Sequence, residues 1–254
     1  MILAVDAGNS NIVLGCMEGL EIRHTLRLKT DRAMSAAGYT VTLQAALAQA
    51  GFSVAGFEGG ILSSVVAAVT EPLRQALSAL LSGPVLVVGK TAKTTLPLCI
   101  DQPETIGADL IAAAEGALAQ YAPPLVLIDM GTATTFSVLD KSGTFLGGAI
   151  APGVQLGAEA LTQRTGLPMT ELSAPQSPLS HSTTDCLRSG IIYGAAAMVD
   201  GMLDRLETAL GTPVTAIATG GLARCVIPHC RRPVTLDDQL LLRGLAVMYR
   251  REMT

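Results

Sequence analysis

Tryptophan is absent from this chain, aromatic residues make up only 3% of it, and charged residues only 15%. Disorder needs few apolar residues and many charges, and with 49% of its 254 residues hydrophobic the chain has the reverse. The 17 Lys and Arg residues are outnumbered by 21 Asp and Glu, a formal charge of -4. That leaves no basic surplus of the kind a nucleic-acid or anionic-membrane binder uses to meet phosphates, so small ligands are the expected partners, with no nucleic acid and no membrane. Also missing is a run of about 20 apolar residues, the length a membrane span needs. Residues 84–89 and 124–129 are short and read as buried strands, and the Ala-rich stretch 106–118 is interrupted by Asp109 and Glu115. The opening Met1-Ile2-Leu3-Ala4-Val5-Asp6 has no basic segment and soon meets a carboxylate, which argues against a signal peptide and for a cytoplasmic protein. Five cysteines, scattered and never spaced Cys-x-x-Cys, read as reduced thiols rather than disulfides or zinc ligands.

What is there is periodic. An apolar strand at 2–5, a Gly/Asn/Ser turn, a second strand at 12–16 and a third at 21–28 form a meander. Helices at 35–50, 71–81 and 107–120 alternate with strands at 61–66 and 84–88, an α/β pattern. At Leu125 the opening repeats itself: an apolar strand, Asp129, any residue, Gly131, then a small polar residue, matching Asp6, Ala7, Gly8 and Asn9. Two similar halves of about 120 residues argue for an internal duplication, with the boundary near Ala122-Pro123-Pro124 and domains at 1–122 and 123–254. The second half continues with a loop-rich stretch at 165–182, helices over 183–210, a strand at 214–218 and a closing helix after Asp237.

An Asp-x-Gly turn followed by Asn, Ser or Thr suits a phosphate. Gly8 and Gly131 lack a Cβ, so the backbone can approach an anion and present its amides. Asn9, Ser10, Asn11, Thr132, Thr134 and Thr135 add neutral donors. Asp6 and Asp129 would face the same anion, where a bare carboxylate repels phosphate unless a cation intervenes, so a metal is implied. One such turn is weak evidence, because Asp and Gly are ordinary turn residues; two at equivalent places in a duplicated chain are not. A third turn, Ala218-Thr219-Gly220-Gly221-Leu222, gives a nucleobase or ribose a flat main chain to pack on. Residues 83–91 mimic a P-loop, but five residues separate Gly83 from Gly89 where four are required.

The duplicated turns and the glycine pair resemble the acetate and sugar kinase, heat-shock 70 and actin superfamily, in which two ribonuclease-H-like domains surround a nucleotide cleft. On that resemblance Gly8, Gly131 and Gly220 would line the cleft. Specific strings are similar to type III pantothenate kinases: Asp6-Ala7-Gly8-Asn9-Ser10-Asn11, Thr30-Asp31-Arg32, Gly107-Ala108-Asp109, the run from Asp129 to Phe136, Gly147 to Gly153, Ser189-Gly190 with Tyr193-Gly194, and Ala218 to Leu222. The resemblance implies ATP-dependent phosphorylation of pantothenate to 4'-phosphopantothenate, the first step of coenzyme A biosynthesis. It implies that Asp6, Ala7, Gly8, Asn9, Ser10, Asn11, Ile12, Val13, Gly131, Thr132, Gly220 and Gly221 contact ATP. Asp129 would hold a monovalent cation, K+ or NH4+, used beside Mg2+, and Asp109 would be the general base. Gly107, Ala108, Asp109 and Thr183 or Thr184 would meet pantothenate, in a homodimer whose acceptor pocket lies at the subunit contact. The apolar residues Ile191, Ile192, Ala195, Ala196, Met198 and Val199 are candidates for that contact.

The chain departs from the family pattern on the acceptor side. Leu110 stands where the family has an arginine for the pantothenate carboxylate, Ile100 and Gln102 where a tyrosine and an asparagine are expected, and Ser137 where an aspartate follows the second clamp. Two further readings therefore stand beside the active pantothenate kinase. One is a degenerate member serving as a regulatory or complementary subunit, including a heterodimer with a paralogue; the other is a kinase for a less anionic hydroxyl substrate. His24, His181 and His229 belong to no matched string and read as structural or surface residues.

Overall fold

The computed structural model describes residues 1–254. Strand alternation sets the layering of its first part. β1 (Ile2–Ala7), β2 (Asn11–Glu18) and β3 (Glu21–Lys29) are followed by α1 (Ala36–Gln49), β4 (Gly59–Ser64), α2 (Ala67–Leu80), β5 (Val85–Val87) and α3 (Ala108–Leu118). Along β1, Leu3, Val5 and Ala7 face a core shared with Tyr39, Leu43 and Leu47 of α1 and Val69, Leu73 and Leu77 of α2. Ile2 and Ala4 point the other way, into a second core with Ile111 and Ala112 of α3.

The meander then recurs as β6 (Leu125–Met130), β7 (Ala133–Leu139) and β8 (Phe145–Pro152). After it come α4 (Val154–Thr165), α5 (Thr183–Leu210), β9 (Thr215–Thr219), α6 (Ala223–Val226), β10 (Thr235–Leu236) and α7 (Leu240–Met253). Both sheets have five strands, in the orders β3-β2-β1-β4-β5 and β8-β7-β6-β9-β10. The directions also agree: two antiparallel pairings from the meander, then two parallel ones. The duplication inferred from a short repeated string is therefore present strand for strand.

The chain divides into two compact units, Met1–Leu96 with Asp101–Gln120 and Gln239–Thr254, and Pro97–Ile100 with Tyr121–Asp238. Apart from the second unit starting at Tyr121, this differs from the expected 1–122 and 123–254 in two ways. Helix α7 belongs to the first unit, because its Leu242, Leu245, Ala246 and Met248 share a core with Ile2, Ala4, Ile61, Ile111 and Ala112. Pro97–Ile100 belongs to the second, because Phe145 donates its N–H to the Pro97 carbonyl and accepts from Cys99 N, each at 2.8 Å. No helix is long and apolar enough to cross a membrane.

Candidate active site

In the first unit β1 and β2 stay paired as far as Ala7 and Ile12, so the connecting turn is Gly8-Asn9-Ser10. Gly8 N closes it on Asn11 O at 3.0 Å. The string Thr30-Asp31-Arg32 braces the turn from outside: Thr30 Oγ1 donates to Gly8 O at 2.7 Å, Thr30 N to Ser10 O at 3.1 Å, and Arg32 Nη2 to Asn9 Oδ1 at 2.9 Å. Of the eight residues of this unit expected at ATP, Asn9 and Ser10 are exposed and Asp6, Gly8, Asn11 and Val13 half-buried. The side chains of Ala7 and Ile12 are wholly buried, so these two can meet a ligand only through main-chain atoms. Asp6 lies on the α3 side of the sheet, the face of Ile2 and Ala4. Its Oδ1 accepts from Ser63 Oγ at 2.9 Å. Ser63 was not among the residues singled out in the sequence; its only signal is its register opposite Asp6 on β4.

In the second unit Gly131 N donates to Ala133 O at 3.0 Å and Gly153 N to Thr132 O at 3.1 Å, so the end of the Gly147 to Gly153 string supports the Asp129 turn. Thr132 is exposed and Gly131 half-buried. Asp129 is flanked in register by Thr135 on β7 and Thr219 on β9. Gly220 has φ +95°, and a Cβ there would stand 2.5 Å from Asp129 Oδ1, so only glycine lets this turn close over the aspartate. Gly221, beside it, is exposed. The hydroxyls of Thr134 and Thr135 are buried with no hydrogen-bond partner, each at a cost of about 1–3 kcal/mol. By the pleat, Thr135 shares the Asp129 face while Thr134 points toward Val126 and Ile128. An orphaned hydroxyl beside a carboxylate is an all-oxygen donor set, which fits a hard cation. No group of three or more His, Cys, Asp or Glu side chains converges anywhere.

Asp109 sits in the first turn of α3, one residue after the helix begins beyond Gly107. Its Oδ1 accepts from Leu110 N at 2.8 Å, and a Cβ on Gly107 would lie 2.3 Å from that oxygen, so glycine leaves room for the carboxylate to fold back. Burial pushes the Asp109 pKa up, against backbone hydrogen bonds that pull it down. The result is a carboxylate more basic than an ordinary one. Gly107, Ala108 and Leu110 are half-buried around it. Ile100, in the second unit, has its Cγ2 3.5 Å from where a Cβ of Gly147 would be. Thr183 and Thr184 open α5 and are both exposed, behind the cap in which Ser182 Oγ accepts from Asp185 N at 3.1 Å. The predicted residues thus divide by unit: 6–13 and 107–110 in the first, and Ile100, Asp129, Gly131, Thr132, Thr183, Thr184, Gly220 and Gly221 in the second. Arg188 bonds Ser173 O at 3.0 Å, Ser173 Oγ at 2.5 Å and Asp185 Oδ1 at 3.2 Å, so its donors are committed within the second unit.

Helix α5 is apolar on more than one face. Ile192, Ala196 and Val199 enter the second unit's core, whereas Ile191, Ala195 and Met198 reach a groove of about 460 Å³ against Val154 and Leu161 of α4. All five cysteines are free, and burial raises Cys16 to about 11 and Cys230 to about 12, which keeps both thiols protonated. His24 and His229 pack on Phe52 and Tyr193, with ring centroids 5.8 and 5.1 Å apart.

Comparison with known proteins agrees with the architecture and the strings. The sequence profile described as type III pantothenate kinase matches residues 2–205. A protein of Exiguobacterium sp. strain AT1b named type III pantothenate kinase is 38% identical over 252 residues, covering 99% of each chain. Among solved structures, component A of (R)-2-hydroxyglutaryl-CoA dehydratase from Acidaminococcus fermentans superposes with TM-score 0.60 at 13% identity, covering 100% of this chain and 99% of that one. A ROK family glucokinase from Streptomyces griseus, solved with glucose and AMPPNP, does so with TM-score 0.53 at 15% identity over 98% of both chains. These two bear on the fold alone, which is that of the actin-like ATPases with duplicated domains. With the profile spanning most of the chain and a relative matched end to end, the chain belongs to the type III pantothenate kinase family and is a kinase.

Proposed function

We propose that this chain transfers the γ-phosphoryl group of ATP to the pantothenate hydroxyl with Asp109 as general base. The observation that carries this reading is the Asp109 carboxylate, made more basic by burial and given its room by Gly107. The Gly8-Asn9-Ser10 and Gly131-Thr132 turns present main-chain amides and small polar side chains to the phosphates, and Gly220-Gly221 receives the nucleoside. Thr183 or Thr184 hydrogen-bonds the acceptor. Asp129 would hold a monovalent cation and Asp6 would face the nucleotide beside Mg2+; when bound, these cations would supply the positive charge that lets the two clamp aspartates stand near the phosphates. Positioning and charge neutralisation do most of the work in such a transfer, and a placed base adds roughly 100- to 10,000-fold. The protein acts as a cytoplasmic homodimer.

A second reading, a complementary or regulatory subunit, is favoured by one observation: Leu110 and Ile100 offer pantothenate neither the guanidinium nor the phenol of the family pattern. The test is a coupled ATP and pantothenate assay on the purified chain and on Leu110→Arg/Ile100→Tyr. Turnover with a raised KM for pantothenate is expected, improved about 10- to 150-fold at low pantothenate by the double change, the value of one charge-assisted pair. Nucleotide binding without turnover at any pantothenate concentration selects the second reading. Efficient turnover at low pantothenate that the double change impairs means that the acceptor pocket is rebuilt rather than weakened.

A further inference from the structure

The duplicated topology repeats a feature that the motif strings do not contain. On the strand that runs parallel to each clamp strand, the residue in register with the aspartate carries a hydroxyl: Ser63 opposite Asp6 and Thr219 opposite Asp129. Both are buried, Ser63 fully and Thr219 to 7% exposure. A buried hydroxyl is costly unless bonded, and Ser63 directs its proton to Asp6 Oδ1 at 2.9 Å. The bond is charge-assisted when Asp6 is ionised, and its donor is well placed. Serine has one side-chain torsion between Oγ and a main chain held in the β1 ladder, one residue past Leu62, where the pairing of β4 with β5 ends. The aspartate has two torsions and stands at the half-buried end of β1. The partner with fewer torsions therefore constrains the one with more.

We propose that Ser63 is a positioning residue for phosphoryl transfer: it holds the Asp6 carboxylate in the orientation that the cation and the nucleotide phosphates require, with Thr219 in the equivalent place in the second unit. The inference rests on the reading of Asp6 as a residue that faces the nucleotide. Partners that orient a ligating carboxylate are typically worth 10- to 100-fold in metal affinity or activity.

The test is a double-mutant cycle on the full chain with Ser63→Ala, Asp6→Asn and the pair. It is read by Mg2+-dependent binding of a fluorescent ATP analogue, by kcat and KM, and by thermal melting to confirm that each variant is folded. Ser63→Ala is expected to weaken Mg2+-dependent nucleotide binding and lower kcat by about 10- to 100-fold with KM for pantothenate unchanged. In the Asp6→Asn background the same change is expected to have almost no further effect. An equal loss in both backgrounds, or a folded Ser63→Ala that binds Mg2+ and nucleotide as the parent does, overturns the proposal and leaves Ser63 a core residue. Should Asp6→Asn itself bind Mg2+ and nucleotide normally, the reading of Asp6 fails and this inference falls with it.

Discussion

Asp109 is under two opposing demands. Burial that makes it a better base also makes its charge costly to the folded state. Its folded pKa lies above the unfolded one, so the folded state binds the proton more tightly, and stability falls as pH rises from the ordinary carboxylate range through the folded pKa. Asp109→Asn removes that cost. The variant is expected to lose about 100- to 10,000-fold in kcat while melting at or above the parent temperature at pH 7, the difference shrinking as pH falls toward 4. A variant that keeps its turnover removes Asp109 from the base role, and one that melts lower at pH 7 shows its carboxylate to be a net stabilising group. The sequence offers Asp6, Asp129 and Asp109 as candidates because each stands in a short string with glycine, and string spacing is a property of sequence. Ser63 was not legible there, because its meaning is a cross-strand register, and register is set by which strands pair. Nor could Thr134 and Thr135 be told apart; the pleat sends one into the core and the other to the Asp129 face.

Periodicity located the elements where apolar spacing is unbroken and lost them where glycine or proline interrupts it. Helix α1 spans Ala36–Gln49, against an expected 35–50. Helix α2 starts at Ala67, a turn before the expected 71, with Pro72 inside it; proline favours the first turn of a helix, which draws the reading of a start toward it. Strand β8 (Phe145–Pro152) shows in the sequence only as a glycine string, since two glycines and a proline in FLGGAIAP hide its alternation. The membership of α7 was invisible as well, for an amphipathic stripe says that a helix is covered but not by what. Its attachment yields a prediction. Arg251 Nη1 bonds both oxygens of Glu115 on α3 at 3.0 Å, and its Nη2 reaches Lys93 O at 2.7 Å. The Glu115 side chain is only 10% exposed, the Arg251 side chain 28%. Arg251→Ala would leave the carboxylate only the Thr94 hydroxyl, which donates to its Oε1 at 2.8 Å, and the expected loss in urea unfolding is about 2–4 kcal/mol, somewhat below the value for a fully buried pair because Arg251 keeps some water and Thr94 stays bonded. A loss under about 0.5 kcal/mol would mean that the pair behaves as a surface ion pair.

Across the whole molecule, the repeat at Leu125 predicted two equivalent sheets, and a matching strand order is a demanding outcome for so short a signal. Assembly is the level at which one chain's sequence says least, because a helix apolar on two faces is explained as well by a core as by a partner. Helix α5 separates the two: Ile192 and Val199 are fully buried, whereas Gly190 and Gly194 border the α4 groove and a Cβ on either would meet no atom within 4 Å. A homodimer that uses this groove would be sensitive to bulk at Gly194, and the isolated chain would not. Gly194→Glu should leave the folded chain intact, even raising helix stability by about 0.5–1 kcal/mol as glycine is replaced inside a helix. In sedimentation at micromolar concentration the parent is expected to run as a dimer and Gly194→Glu as the 26.1 kDa chain. Since the acceptor pocket is expected at the subunit contact, the variant should lose pantothenate turnover while still binding the ATP analogue. A parent that sediments only as the single chain, or a Gly194→Glu that stays dimeric and active, would remove α5 from the contact and leave its second apolar face to some other role.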